Sequence, residues 1–362
     1  MREWVLLNPG PANTSSRVRQ ALLTPDLCHR EPEFFEVMRE CRERLVRVIG
    51  APAFDAVLFT GSGTAAVEAT VASAVPDGRS LLIVDNGVYG DRIRRIAHAH
   101  RIPAEVLRYD VTTPVPPSDV ATALSEHPEV SHVALVHHET TTGLLNPVEA
   151  VADAAAAAGR RVIVDAMSSL FGEALDVTRE GIDFVTASAN KCLQGIPGVS
   201  FVVARRTALE SLRGRAPRSV YLDLVDHWMT QDKDNTPFTP AVQVLHAMRE
   251  ALRELQEEGV PARIARYAEN CRVLRQGMGA LGFEILVPEG ARSSILTTFR
   301  LRPGLTYEAL HDAMKRRGYV IYAGQGEIRT YAFRVSNMGT LTPRDMQAVV
   351  AAFAECLAEL QP

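Results

Sequence analysis

The sequence predicts an α/β fold: a largely parallel sheet with helices on both faces, followed by a smaller α+β unit. Short apolar, β-branched runs recur about every 20 to 30 residues over the first two hundred positions, with helical apolar spacing between them. Runs such as Val162-Ile163-Val164 are apolar at consecutive positions, which marks strands covered on both faces. Over the last hundred residues strands and long helices alternate less regularly, which marks a second unit. The chain has 362 residues, enough for two domains. It divides into an arm over 1–25, a large domain over 26–240, and connecting helices with a small domain over 241–362.

The arm opens with a strand-like Val5-Leu6-Leu7, then a rigid turn, Asn8-Pro9-Gly10-Pro11, then a short helix from Arg17 to Leu23. It either packs on the body or lines a substrate pocket. Residues 31–49 place Phe34, Phe35, Met38, Leu45, Val48 and Ile49 at helical spacing opposite a charged face, and Gly50 stops the helix. The strand Ala56-Val57-Leu58-Phe59 runs into Thr60-Gly61-Ser62-Gly63-Thr64, and a helix follows to about Ala74.

Two readings of that turn stay open. Gly61-x-Gly63-x-x-Ala66 after a strand fits the dinucleotide fingerprint, and Asp85 lies 19 positions beyond Ala66, where a ribose-binding acid would stand. An NAD-dependent dehydrogenase is therefore one expectation. Backbone N–H groups at a helix start, with the Ser62 and Thr64 hydroxyls, would equally cradle a phosphate monoester, and the hydroxyls lean that way.

After the strand Leu81–Val84, Tyr89 stands between Gly87 and Gly90 at a strand mouth, where its ring could lie over a cofactor, and a helix is expected over 91–99. Ala104–Leu107 is a strand, Val120–Leu124 begins a helix, and His132–Glu139 is a strand ending in polar residues. His137 and His138 are adjacent, so they point to opposite faces and make no zinc site. Thr140-Thr141-Thr142 either shape a turn or offer hydroxyls to a cofactor oxygen. Helix Val148–Ala158 follows.

The stretch from Val162 to Lys191 carries the chemistry. Val162-Ile163-Val164-Asp165 and Phe184-Val185-Thr186-Ala187, which leads into Ser188-Ala189-Asn190-Lys191, are buried strands ending near an acid and a lysine. In open α/β sheets the ligand crevice lies outside those ends. A lysine among small residues sheds its proton more easily than one in water, as a Schiff-base lysine must. An acid nearby can keep a pyridine nitrogen protonated, as pyridoxal 5'-phosphate (PLP) requires. Alone, Asp165 reads as a cap and Lys191 as a solvated charge. With the phosphate cradle, Tyr89 and a late arginine, they read as a PLP site. Cys192 has no paired histidine motif and is not read as a nucleophile.

Val199–Val203 is a strand; 206–240 lack periodicity, as at a site or subunit contact. Helices are expected over 241–258, 261–281, 307–317 and 343–360, and strands over Phe283–Leu286, Ile295–Phe299, Val320–Tyr322 and Ala332–Val335. Arg334 sits inside the last strand, either in a buried ion pair or aimed at an anionic substrate.

Hydrophobic content of 46% and charged content of 23% are ordinary for a globular chain, and a net charge of −4 gives no basis for binding nucleic acid or a membrane surface. No apolar run nears the ~18 residues of a spanning helix, and the amino terminus is too short and acidic for a signal peptide. Five scattered cysteines read as free thiols, which points to the cytoplasm.

With these motifs in view, the chain resembles the class V branch of fold-type I PLP-dependent aminotransferases. The resemblance rests on Asn8-Pro9-Gly10-Pro11, Gly61-Ser62-Gly63-Thr64, Asn86-Gly87-Val88-Tyr89-Gly90 and His138-Glu139-Thr140-Thr141-Thr142-Gly143. Val164-Asp165-Ala166-Met167, Ser188-Ala189-Asn190-Lys191, Phe238-Thr239-Pro240 and Phe333-Arg334-Val335 complete it in family order. It implies a mostly parallel seven-stranded sheet and a homodimer with active sites at the interface. It implies PLP on Lys191, with Asp165 at the pyridine nitrogen, Tyr89 on the ring, Ser62, Gly63 and Thr64 around the phosphate, and Thr140 near the ring hydroxyl. Ser188 is a further cofactor contact, Thr239 reaches in from the partner, and Arg334 takes the anionic end of the substrate. The expected substrates are a small amine and an oxo acid, with 2-aminoethylphosphonate and pyruvate the first choice and an alanine–glyoxylate or serine–pyruvate pair the alternative. The segment Cys28-His29-Arg30-Glu31 departs from the Trp-Asp-Asp pattern of phosphonate-degrading members.

Overall fold

A computed structural model describes residues 4–360; residues 1–3 of the amino-terminal stretch lie outside the described residues. The chain begins with β1 (Val5–Leu6) and α1 (Ser16–Gln20), whose start is capped by the Ser15 side chain. Next come α2 (Pro32–Ile49), ended by Gly50 in the left-handed conformation, β2 (Phe54–Thr60) and α3 (Gly63–Ala74). β3 (Ser80–Asp85), α4 (Val88–Ala99), β4 (Ala104–Arg108), α5 (Pro117–Glu126) and β5 (Val130–Val136) continue the alternation. A small hairpin, β6 (His138–Glu139) with β7 (Leu144–Leu145), precedes α6 (Val148–Ala157), β8 (Arg161–Asp165), β9 (Ile182–Ser188) and β10 (Val199–Arg205). The segment without periodicity contains two short helices, α7 (Arg206–Ser211) and α8 (Leu224–Gln231), the second capped by Asp223.

The main sheet has seven strands in the order β2-β10-β9-β8-β5-β3-β4. β10 is antiparallel to both neighbours and the other strands run parallel to one another. The expectation of a mostly parallel seven-stranded sheet therefore holds. Alternate residues of its strands feed two cores. Leu58, Val133, Val164 and Val203 lie on one face, and Val57, Ile83, Ile163 and Val202 on the other.

Two long helices follow, α9 (Val242–Glu258) and α10 (Val260–Ala280). α9 turns Leu245, Met248, Leu252 and Leu255 into the first of those cores. The remaining elements are β11 (Leu296–Arg300), α11 (Tyr307–Arg316), β12 (Tyr319–Val320), β13 (Tyr322–Ala323), β14 (Ala332–Ser336) and α12 (Pro343–Leu360). They form a third core around Phe283, Phe299, Phe333 and Phe353, which Leu7 of the arm joins. β1 pairs in parallel with β12, and Asn13 clamps Leu6 with two backbone hydrogen bonds. Two expectations need correction here. Phe283–Leu286 makes only an isolated bridge, Ile285 to Phe299, and the run 320–322 is split between β12 and β13.

Among the described residues no helix is long and apolar enough to cross a membrane.

Candidate active site

The carboxyl ends of β2, β8 and β9 open onto a cavity of about 600 Å³, a size usual for cofactor pockets. Gly61, Ser62, Gly63, Thr64, Tyr89, Asp165, Ser188 and Lys191 all line it. The sheet brings these distant residues together. β2 and β10 are neighbours, and the Gly61 amide donates to the Gly198 carbonyl at 2.8 Å, tying the glycine turn to the loop that carries Lys191. That loop is pinned by Gly195 N–H on the Ala189 carbonyl at 2.7 Å, and the buried Arg263 donates to the carbonyls of Cys192 and Leu193.

Asp165 is buried and Lys191 half-buried at the cavity wall. Burial pulls the Lys191 ammonium down to about 8, and pushes the Asp165 carboxyl up to about 6 against the Met167 amide, which donates to Oδ1 at 2.9 Å. Lys191 Nζ donates to the Pro9 carbonyl, which ties the arm to the lysine. Gly10, at φ +108°, passes so near that an added Cβ would strike the lysine side chain. Gly10→Ala is expected to cut activity at least roughly tenfold with the fold intact, through clash and left-handed strain. Steady-state kinetics beside a melting curve check this; parental kcat/KM would show that the arm yields.

The phosphate reading of the glycine turn fits the structure. α3 starts at Gly63 with Ser62 as its cap residue, and no side chain caps its first amides. Any side chain at Gly63 would fill the cradle by running into Met167. Among the described residues the hydroxyls of Ser188, which lines the cavity, and of Thr140, which does not, are buried without a hydrogen-bond partner. The dinucleotide reading fails on topology. It needs β2 and β3 side by side, yet β10, β9, β8 and β5 stand between them, so Asp85 is far from the Gly61 turn.

Tyr89 is not in a loop, as its flanking glycines implied, but in the first turn of α4. Glu139 fixes that turn, its buried carboxylate accepting from the amides of Tyr89 and Thr141 and from the Thr141 hydroxyl. Arg92 was missed in the sequence. It lines the cavity, stands 4.7 Å over the Tyr89 ring and donates to the Thr64 hydroxyl at 3.3 Å. Its spacing of three from Tyr89 on a helix was the available signal.

His138 bridges the Ser168 carbonyl and the Ser293 hydroxyl, and burial drops it to about 3, so it is a neutral strut. Burial pushes the Cys192 thiol up, away from nucleophile chemistry. Arg334 lies outside the cavity lining and is only 6% exposed. It makes no ion pair among the described residues; Nε donates to the Ala323 carbonyl at 2.8 Å and Nη1 to the Thr140 carbonyl at 2.7 Å. Thr239 is exposed in this chain, beside Phe238 and Tyr221; it does not line the Lys191 cavity, although Ala241, two positions on, does.

A fold-type I sheet with a desolvated lysine, a buried acid and a helix-start cradle in one cavity is the architecture of a PLP-type aminotransferase. The chain belongs to the class V aminotransferases: the family described as "Aminotransferase class-V" matches residues 15–336. It is similar to the 2-aminoethylphosphonate–pyruvate transaminase of Syntrophobacter fumaroxidans, 42% identical, covering 98% of this chain and 96% of that one. The enzyme of that name from Bacteroides fragilis is 41% identical and covers 98% of this chain and 99% of its own. Among solved structures, aspartate aminotransferase of subgroup IV from Thermus thermophilus superposes with a TM-score of 0.91 at 29% identity, covering 99% of this chain and 100% of that chain. Pyridoxamine–pyruvate aminotransferase from Mesorhizobium loti gives a TM-score of 0.93 at 26% identity, covering 100% of this chain and 94% of that one.

Proposed function

We propose that this aminotransferase uses PLP and moves the amino group of 2-aminoethylphosphonate to pyruvate, giving phosphonoacetaldehyde and alanine. The observation that carries the cofactor is the placement of Lys191, Asp165 and the uncapped start of α3 around one cavity. The substrate pair rests on near full-length relatives of that name.

Bound PLP supplies an electron sink that lets the C–H bond beside the amine ionise. The chain's own residues do the rest. Ser62, Gly63 and Thr64 would hold the phosphate through backbone N–H groups and hydroxyls, with Arg92 adding positive charge. Tyr89 would cover the ring, and the free hydroxyls of Thr140 and Ser188 would meet its polar edge. Asp165, as carboxylate, would keep the pyridine nitrogen protonated. Lys191 would hold the cofactor through Nζ, and the same nitrogen would take and return the substrate proton. With the amine near 8, about a tenth is neutral at pH 7, against well under a thousandth for an ordinary lysine. Arg334 binds the anionic end of the substrate.

A homodimer accompanies this reading. Exposed apolar side chains support it, Val220 at 79% and Leu23 at 83%, and in this reading Thr239, exposed beside Tyr221, would reach into the site of a second copy. Light scattering on a sizing column tests the dimer.

The functional test is a visible spectrum of the purified, cofactor-loaded protein during titration with 2-aminoethylphosphonate, alanine or serine. Loss of the cofactor band with the phosphonate is the expected result; alanine, the donor of the reverse reaction, should act too. Bleaching by alanine or serine with no response to the phosphonate would reassign the enzyme to an alanine–glyoxylate or serine–pyruvate pair.

A further inference from the structure

Arg334 opens into a second cavity of about 360 Å³, lined by Tyr307, Tyr322, Gln325, Gly326 and Arg329 among others, with no carboxylate in its wall. Its lining shares no residue with the Lys191 cavity, but two contacts lead from it toward the elements of that site. Arg334 holds the Thr140 carbonyl, and a Cβ on Gly326 would come within 4.0 Å of Val88, the residue before Tyr89.

The hydrogen-bond inventory of Arg334 limits what it can do alone. Its guanidinium has five N–H groups. Nε is spent on the Ala323 carbonyl, and Nη1 on the Thr140 carbonyl and the Gln325 side-chain oxygen at 3.1 Å. Only Nη2 is left, so Arg334 cannot offer two nitrogens as a fork to an incoming anion. A carboxylate has two oxygens to satisfy. A phosphonate has three and a second negative charge. Arg329 is the other cation of this cavity, and it has no ion pair or hydrogen bond from its side chain among the described residues. It stands on the 3₁₀ turn Gly326–Thr330, just before the strand that carries Arg334.

We infer that Arg329 is a second cation for the substrate's anionic head and sets a preference for a doubly charged head over a carboxylate. This rests on the proposed phosphonate reaction, which it deepens by naming a specificity-determining residue. The Arg334 site would take either head, and Arg329 meets the charge and oxygens that only the phosphonate brings.

The test compares the parent holoenzyme with Arg329→Gln and Arg329→Lys. Arg329 is exposed on a surface turn, so these variants fold. Half-saturation of the cofactor band is measured with 2-aminoethylphosphonate and with alanine. Binding of methylphosphonate and of acetate, which undergo no reaction, is measured by calorimetry. Arg329→Gln is expected to weaken both phosphonates about tenfold or more and to move alanine and acetate less than about twofold, with partial recovery in Arg329→Lys. Equal losses for both classes, no loss for the phosphonates, or no methylphosphonate binding by the parent overturns the inference. If the parent does not react with 2-aminoethylphosphonate but methylphosphonate binding still falls selectively in Arg329→Gln, the reaction assignment fails and the role of Arg329 stands.

Discussion

Lys191→Ala is expected to lower transamination by at least about 10⁴-fold, because one side chain supplies both the covalent anchor and the proton carrier. The surroundings leave no substitute. The pyrrolidine-rich arm covers the lysine with the Pro9 carbonyl, and burial keeps Cys192 protonated. The direct readout is mass. Borohydride reduction should fix the cofactor on the parent chain and leave Lys191→Ala unlabelled. Retention of the label in that variant would move the anchor elsewhere. Lys191→Arg is the control for charge, since a guanidinium does not become neutral at working pH.

Asp165→Asn should lower the rate by at least about 10²-fold while making the cofactor-free protein more stable. Both effects come from the same burial. The carboxyl is raised from 3.8 to about 6 because burial penalises its charge. An acid with a raised folded value binds its proton more tightly in the native state. Its cost is therefore absent below about 3.8, grows as pH rises to about 6, and is fully present above that. The full cost is on the order of 3 kcal/mol. Asparagine carries no charge and escapes it. Melting curves of the cofactor-free proteins should therefore coincide below about pH 3.8, part as pH rises from there, and be fully separated above about 6, with Asp165→Asn the higher. A lower melting temperature for the variant at neutral pH would contradict this account. The expected loss of rate arises because asparagine cannot hold a pyridine nitrogen in its charged form.

Much of this was readable in the chain. Apolar runs and glycine stops located α2, α3, α9 and α12 closely, because periodicity and capping are local properties. Lys191, Asp165 and the glycine turn were legible because strand ends in such sheets face ligands. The direction of β10 was not, since a strand buried on both faces has the same composition whichever way it runs. The choice between dinucleotide and phosphate hung on strand order, which a fingerprint does not encode. The helical setting of Tyr89 is not local information, because the Glu139 carboxylate that accepts from its amide lies 50 positions away in sequence. Arg92 drew no notice because one arginine among Arg92, Arg94 and Arg95 shows nothing special until the helix face is known.

The edge position of β2 has a consequence for biosynthesis. Among the described residues its only strand partner is β10, the last strand of the main sheet to be translated; Val57 pairs with Val202, 145 positions further along the chain. Until the ribosome has delivered β10, the turn before α3 has no wall to lean on, and closing so long a loop is slow. The phosphate cradle is thus expected to be completed only after Lys191 has left the exit tunnel, so the nascent chain meets its cofactor with cradle and lysine already together.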